Sequence, residues 1–137
     1  LTSKSETTFF RASGQARRAK FASDMVLHDG WGYISGLGPV DLENDSSPLP
    51  EGVENQVLRI FANLKRILAD NGVSPGQVIS VRVHLVEFPR LFERMNAVYL
   101  GFFQDQRLPA RSCIGVSALT RGAQVEMDFV VSTRSEF

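Results

Sequence analysis

Few residues in this chain could do covalent or acid–base chemistry. Its 137 residues include two histidines and one cysteine. His28 and His84 lie far apart, with no ligand spacing around either, so no metal site is expected. Cys113 as a nucleophile would need a base and oxyanion donors. His84 is the only histidine on its strand face and no third partner is visible, so Cys113 reads as a buried, inert thiol. Two charged residues remain. Arg111 lies in Pro109-Ala110-Arg111-Ser112-Cys113-Ile114-Gly115-Val116, and Glu126 in Gln124-Val125-Glu126-Met127-Asp128-Phe129-Val130-Val131. A guanidinium fork can hold a carboxylate through two hydrogen bonds. A glutamate can position water and accept its proton, best when burial lifts its pKa. Without further context, such a pair on neighbouring strands reads as a structural ion pair.

Both segments alternate as half-buried strands do. Pro109 donates no ladder hydrogen bond and belongs at a strand's first residue. Ile114 and Val116 alternate with Arg111, Cys113 and Gly115, as Val125, Met127, Phe129 and Val131 alternate with Glu126 and Asp128. Earlier in the chain, strands are expected at 8–13, 25–27 and 33–36, the last two joined by a turn at His28-Asp29-Gly30. Residues 38–52 hold Pro39, Pro48, Pro50 and four acids, and read as a loop long enough to be functional or mobile. From Val53 the period becomes helical, with Val57, Ile60, Phe61, Leu64, Ile67 and Leu68 on one stripe and Asn71-Gly72 as its end. A strand over 78–86 follows. A second helix over 91–104 buries Phe92, Met95, Tyr99, Phe102 and Phe103, an aromatic run that reads as core rather than as a platform for bases. Two helices between strands predict one α+β domain with both helices on one face of a mixed sheet. On that reading Arg82, His84, Arg111, Cys113, Glu126 and Asp128 all point away from the helices, with His84 paired to an acid such as Asp128. Other copies of the chain are expected to cover that face.

Length and composition agree with a single domain over 1–137, residues 1–7 forming a flexible terminus. Hydrophobic residues make up 43% and charged residues 22%, and fifteen Lys and Arg balance fifteen Asp and Glu. Zero formal net charge draws the chain neither to nucleic acid nor to an anionic membrane. No apolar run is long enough to cross a bilayer. The polar stretch 1–20 lacks the apolar region of a secretory signal, and Leu1 in place of methionine hints at residues removed ahead of it. A lone cysteine suits a reducing, cytoplasmic setting.

The Pro-Ala-Arg-Ser-Cys run, with a glutamate fifteen residues after its arginine, resembles the Rid (YjgF-like) family of enamine/imine deaminases. So do Ile34-Ser35-Gly36, Gln56-Val57-Leu58, Asn63-Leu64-Lys65, Asn96-Ala97-Val98-Tyr99 and Phe102-Phe103. The resemblance implies a chorismate-mutase-like fold, a homotrimer with sites in clefts between subunits, and no cofactor. It implies that a 2-imino acid is hydrolysed to a 2-keto acid and ammonia, Arg111 clamping the carboxylate and Glu126 handling water. Gly36 and Cys113 would line the pocket through backbone groups, Ser35 would add a hydroxyl, and Asn96 would lie near. Many family members carry a tyrosine where this chain has Lys20-Phe21-Ala22-Ser23, so Phe21 gives a more apolar wall. Gly36-Leu37-Gly38-Pro39 also departs from the commoner glycine-glutamine-isoleucine-proline. Three alternatives keep the scaffold. One is a deaminase of the dicarboxylate 2-aminomuconate, its second carboxylate held by Arg17, Arg18 or Lys20. Another is a non-catalytic trimer that binds 2-keto or fatty acids. The last is a ribonuclease, which zero net charge and the lack of a histidine pair oppose.

Overall fold

The structure, a computed structural model, describes residues 6–134. Eight elements follow in chain order: β1 (Thr7–Phe10), β2 (Met25–His28), β3 (Trp31–Leu37), α1 (Val53–Asp70), β4 (Val78–Leu85), α2 (Phe88–Phe102), β5 (Ala110–Gly115) and β6 (Val125–Ser132). One six-stranded sheet runs in the order β1-β2-β3-β6-β4-β5, and both helices contact its strands. This is the α+β architecture expected. No helix among the described residues is long and apolar enough to cross a membrane. Of the terminus expected at 1–7, residues 1–5 lie outside the described residues, and Thr7 already pairs with His28 in the sheet.

Local sequence accounts for most boundaries. Asp29 and Gly30 both take positive φ, 54° and 85°, as the two-residue turn of a β-hairpin requires. The α1 stripe Val53, Val57, Ile60, Phe61, Leu64, Ile67 and Leu68 is buried throughout. That helix ends where Gly72 adopts φ 68° and the Val73 amide donates back to the Leu68 carbonyl at 2.9 Å. The second helix begins at Phe88, three residues ahead of the expected Leu91. Pro89 sits in its first turn, where a missing N–H costs nothing.

Topology places the charged residues. β4 and β5 are parallel, a pairing that needs a crossover, and α2 supplies it. β6 is antiparallel to β3 on one side and to β4 on the other. Its Val125, Met127, Phe129 and Val131 are buried in the core beneath the helices. Glu126, Asp128 and Val130 therefore point to the opposite, open face.

The loop over 38–52 is anchored rather than loose. The Asn63 side-chain amide donates to the carbonyls of Val40 at 2.8 Å and Gly38 at 3.3 Å. Gln56 donates to the Pro50 carbonyl at 3.0 Å and accepts from the Gln124 amide at 2.8 Å. Buried Asp45 accepts the backbone N–H groups of Arg17 and Arg18, each at 3.0 Å. Burial alone would raise the Asp45 carboxyl, but those amides and the Arg18 and Arg17 charges outweigh it and hold it below its ordinary range. Such a carboxylate stabilises the fold at neutral pH and loses that contribution as pH falls through its lowered pKa. Asp45→Ala strips two partly buried donors of their acceptor and is expected to destabilise by about 2 kcal/mol. Asp45→Asn, which keeps an acceptor oxygen, is expected to cost less and to flatten the acid limb of stability in urea melts run from neutral to acid pH.

Candidate active site

The residues singled out from sequence fall into two groups on opposite faces of the sheet. Register decides this. Arg111 pairs with Val81, and Cys113 with Val83, across the parallel β4–β5 ladder. Val81 and Val83 are buried toward the helices, so Arg111 and Cys113 lie on the helix side. That corrects the expectation that they share the open face with Glu126. Ser112 and Ile114 take that face instead, and Ile114 is 45% exposed there. No ion pair joins Arg111 and Glu126 among the described residues. His84 and Cys113 likewise point to opposite faces, so the thiol has no imidazole beside it.

The helix-side group is built by α2 against β5. The Arg111 Nη1 donates to Asn96 Oδ1 at 2.6 Å. Its guanidinium carbon lies 4.6 Å from the Tyr99 ring centre and 6.0 Å from that of Phe92. Phe92, Asn96 and Tyr99 recur at four and three residues, hence on one helix face. Tyr99 is 2% exposed and its hydroxyl has no hydrogen-bond partner; burial pushes that phenol up to about 12, against the opposing Arg111 charge. No carboxylate among the described residues pairs with Arg111, which leaves an exposed fork on an aromatic bed. Cys113 is half-buried, and burial raises its thiol while Arg111 pulls the other way. Phe88 stacks on Phe92 at 4.9 Å beside Gly115, where a Cβ would come within 3.2 Å of the Phe88 Cβ.

The open-face group lines a cavity of ≈ 380 Å³ that holds Phe21, Ser35, Gly36 and Glu126 together. A bulge in β3 between Ile34 and Leu37 makes the close approach possible. Asp128 fixes it: Oδ1 accepts the Gly36 amide at 2.8 Å and the Ser35 hydroxyl at 3.2 Å. Gly36 has φ 67°, and a Cβ there would stand 3.4 Å from Glu126 Oε1. Burial raises the Glu126 carboxyl above its ordinary value; the His84 charge lowers it and Asp128 raises it further. Phe21, 84% exposed, forms an apolar lip where the family resemblance calls for a hydroxyl.

Of the three cations weighed for a second carboxylate, Arg18 alone lines the cavity. It is already engaged, through Nε and Nη2 to Asp24 at 2.8 and 3.1 Å and through Nη1 to Asp45 at 3.5 Å. Arg121, not singled out from sequence, lines the same wall and donates to the carbonyls of Asp45 and Ser47. The sequence marks Tyr99 and Phe92 as core; their helical spacing with Asn96 is the signal that they also underlie Arg111. His84 stands opposite Glu126, not Asp128. No cluster of three or more potential metal ligands occurs among the described residues.

The family model described as Endoribonuclease L-PSP matches residues 14–133. A RutC family protein of Aquifex aeolicus is 30% identical over 109 residues, 79% of this chain and 85% of its own. Among solved structures, YyfA of the conserved Rid protein family, from Yersinia pestis, has a TM-score of 0.82 at 24% identity, covering 93% of this chain and 99% of that one. This is a likeness of fold. TdcF of E. coli, solved with bound serine, has a TM-score of 0.75 at 27% identity, covering 82% and 87%. With nearly its whole described length matched by one family model and the same fold in a Rid protein, the chain belongs to the Endoribonuclease L-PSP family, which includes the RutC and Rid proteins.

Proposed function

We propose that this chain hydrolyses 2-imino acids, and their 2-enamine tautomers, to 2-keto acids and ammonia. It does so as a homotrimer whose clefts bring Arg111 of one copy to Glu126 of the next. The observation that carries this reading is the separation of two incomplete half-sites by the sheet. The Arg111 half has an anchor for a carboxylate and no group to activate water. The Glu126 half has a half-buried carboxyl with a raised pKa, and the cations on its cavity wall are engaged elsewhere. A relative solved with serine supports a small amino-acid-like ligand.

In this reading the Arg111 fork binds the substrate carboxylate, and Asn96 and Tyr99 hold the fork in place. The C=N carbon is thereby presented to one water molecule. Glu126 takes a proton from that water as its oxygen bonds to carbon and the C=N electron pair withdraws to nitrogen. The proton passes to that nitrogen, giving a carbinolamine. Glu126 then takes the hydroxyl proton and hands it to the amine nitrogen as the C=O bond forms and the C–N bond breaks. Ammonia leaves with the bonding pair, so one water is consumed and no oxidant or cofactor is used. Phe21 and the 38–52 loop wall the water side with apolar surface, which favours substrates with apolar side chains.

A coupled assay tests this: an amino-acid oxidase generates 2-imino acids from leucine, semicarbazide traps them, and hydrolysis suppresses the semicarbazone. Arg111→Ala is expected to lower kcat/KM about 100-fold or more while the oligomer persists. Retained activity would remove Arg111 from the mechanism. Glu126→Gln is expected to lower kcat by about 100-fold with KM little changed. Co-refolding the two inactive variants is expected to restore about one quarter of wild-type activity, because a shared site can draw its arginine from one variant and its glutamate from the other. No recovery would place both groups in one copy. The acid limb of the wild-type rate is expected above the usual glutamate range, since the base works only when ionised and burial raises its pKa. RNA cleavage is the contrasting assay and is expected to be blank.

A further inference from the structure

We propose that His84 is a positioning residue for Glu126, steadying its carboxyl across β4 and β6 while it works on water. His84 and Glu126 are direct partners in the antiparallel β4–β6 register. Cross-strand partners on one face have their Cβ atoms about 4.5–5.5 Å apart, within reach of an imidazole and a glutamate. Val83 and Leu85 on either side of His84 are buried toward the helices, so His84 shares the open face with Glu126. Its Nδ1 is buried and has no hydrogen-bond partner. A buried ring nitrogen left unmatched favours any rotation that brings it to an acceptor.

The neighbouring groups leave Glu126 as that acceptor. From β5 the facing residue is Ile114, which is apolar. On β4 itself the nearest charge on this face is Arg82, opposite Asp128. From β6 the facing acids are Glu126, directly across, and Asp128 on the diagonal. Asp128 is committed to the Gly36 amide and the Ser35 hydroxyl. Neither α1 nor α2 packs on this face, and Arg18, Asp24 and Arg121, which line the Glu126 cavity, are bonded elsewhere, Arg18 to Asp24 and Arg121 to the Asp45 and Ser47 carbonyls.

Glu126 passes the proton it takes from water to the substrate nitrogen, so His84 carries no proton in the cycle; it acts by holding the carboxyl in place and by its charge. The His84 charge opposes the upward pull of burial and of Asp128 on the Glu126 carboxyl. Removing His84 takes away one lowering influence, so Glu126 should titrate at higher pH.

The kinetic part rests on the deaminase reading; the pairing does not. The experiment is a carbon-13 NMR titration of the Glu126 carboxyl, assigned by its loss in Glu126→Gln, in wild type, His84→Phe and His84→Gln. Two uncharged replacements of different shape guard against a folding defect in one of them. The midpoint is expected to rise by on the order of one pH unit in both. The acid limb of kcat/KM is expected to move with it, KM at high pH staying unchanged. Identical midpoints in all three proteins would overturn the proposal. A midpoint raised in both variants of a protein whose wild type hydrolyses no imine would leave the pair standing and remove the deaminase reading. Turnover with unmoved midpoint and limb would do the reverse.

Discussion

Hydrogen bonding of β6 to β3 on one side and β4 on the other fixes the rest of this molecule. A strand has two faces, and a slip of one residue exchanges them. Here the slip would carry Val125, Met127, Phe129 and Val131 out of the core and drive Glu126 and Asp128 into it. Burying each large apolar side chain is worth roughly 1.5–3 kcal/mol, so four of them outweigh any single polar contact on the other face. The position of the Glu126 carboxyl is thus set by residues that never touch it. The Asp128 grip on the β3 bulge follows from the same register.

Most elements can be read from the chain because their signals are local. The α1 stripe, the Asn71-Gly72 stop and the Asp29-Gly30 turn each need only near neighbours. The phase of β5 could not be read that way. Ile114 and Val116 suggest that their side faces the helices, yet β5 is the last strand of the sheet, and which side is buried depends on its register with β4. Arg111 satisfies the helix side in an unexpected manner: its flat guanidinium covers aromatic rings while its N–H groups stay wet. Tyr99 therefore serves both as core and as the bed of Arg111. The grouping of Phe21, Ser35, Gly36 and Glu126 depended on family resemblance, because residues so far apart in sequence meet only through the β3–β6 pairing and the bulge.

Arginines elsewhere show what is unusual about Arg111. Arg94 makes a bidentate pair with Glu54 that ties α2 to α1, and Arg90 makes one with Glu87, the residue just ahead of α2. These exposed pairs add little to stability. Arg111 has an aromatic bed and an amide oxygen in place of a carboxylate, so its position is fixed while its charge stays uncompensated. An anion that reached it would meet a fork already oriented, with less motion to freeze on binding.

β5 also ends the sheet, and its outer rim carries backbone donors and acceptors that no strand of the same copy satisfies. Such a rim is a template for strand addition and hence for aggregation. Pro109 at its entrance removes one donor, and Arg111 and Ser112 make the first part of the rim polar. Ile114 is the weak point, an exposed β-branched residue near the far end. A freshly made copy is therefore open to wrong self-association along this strand, on the short stretch after Ser112.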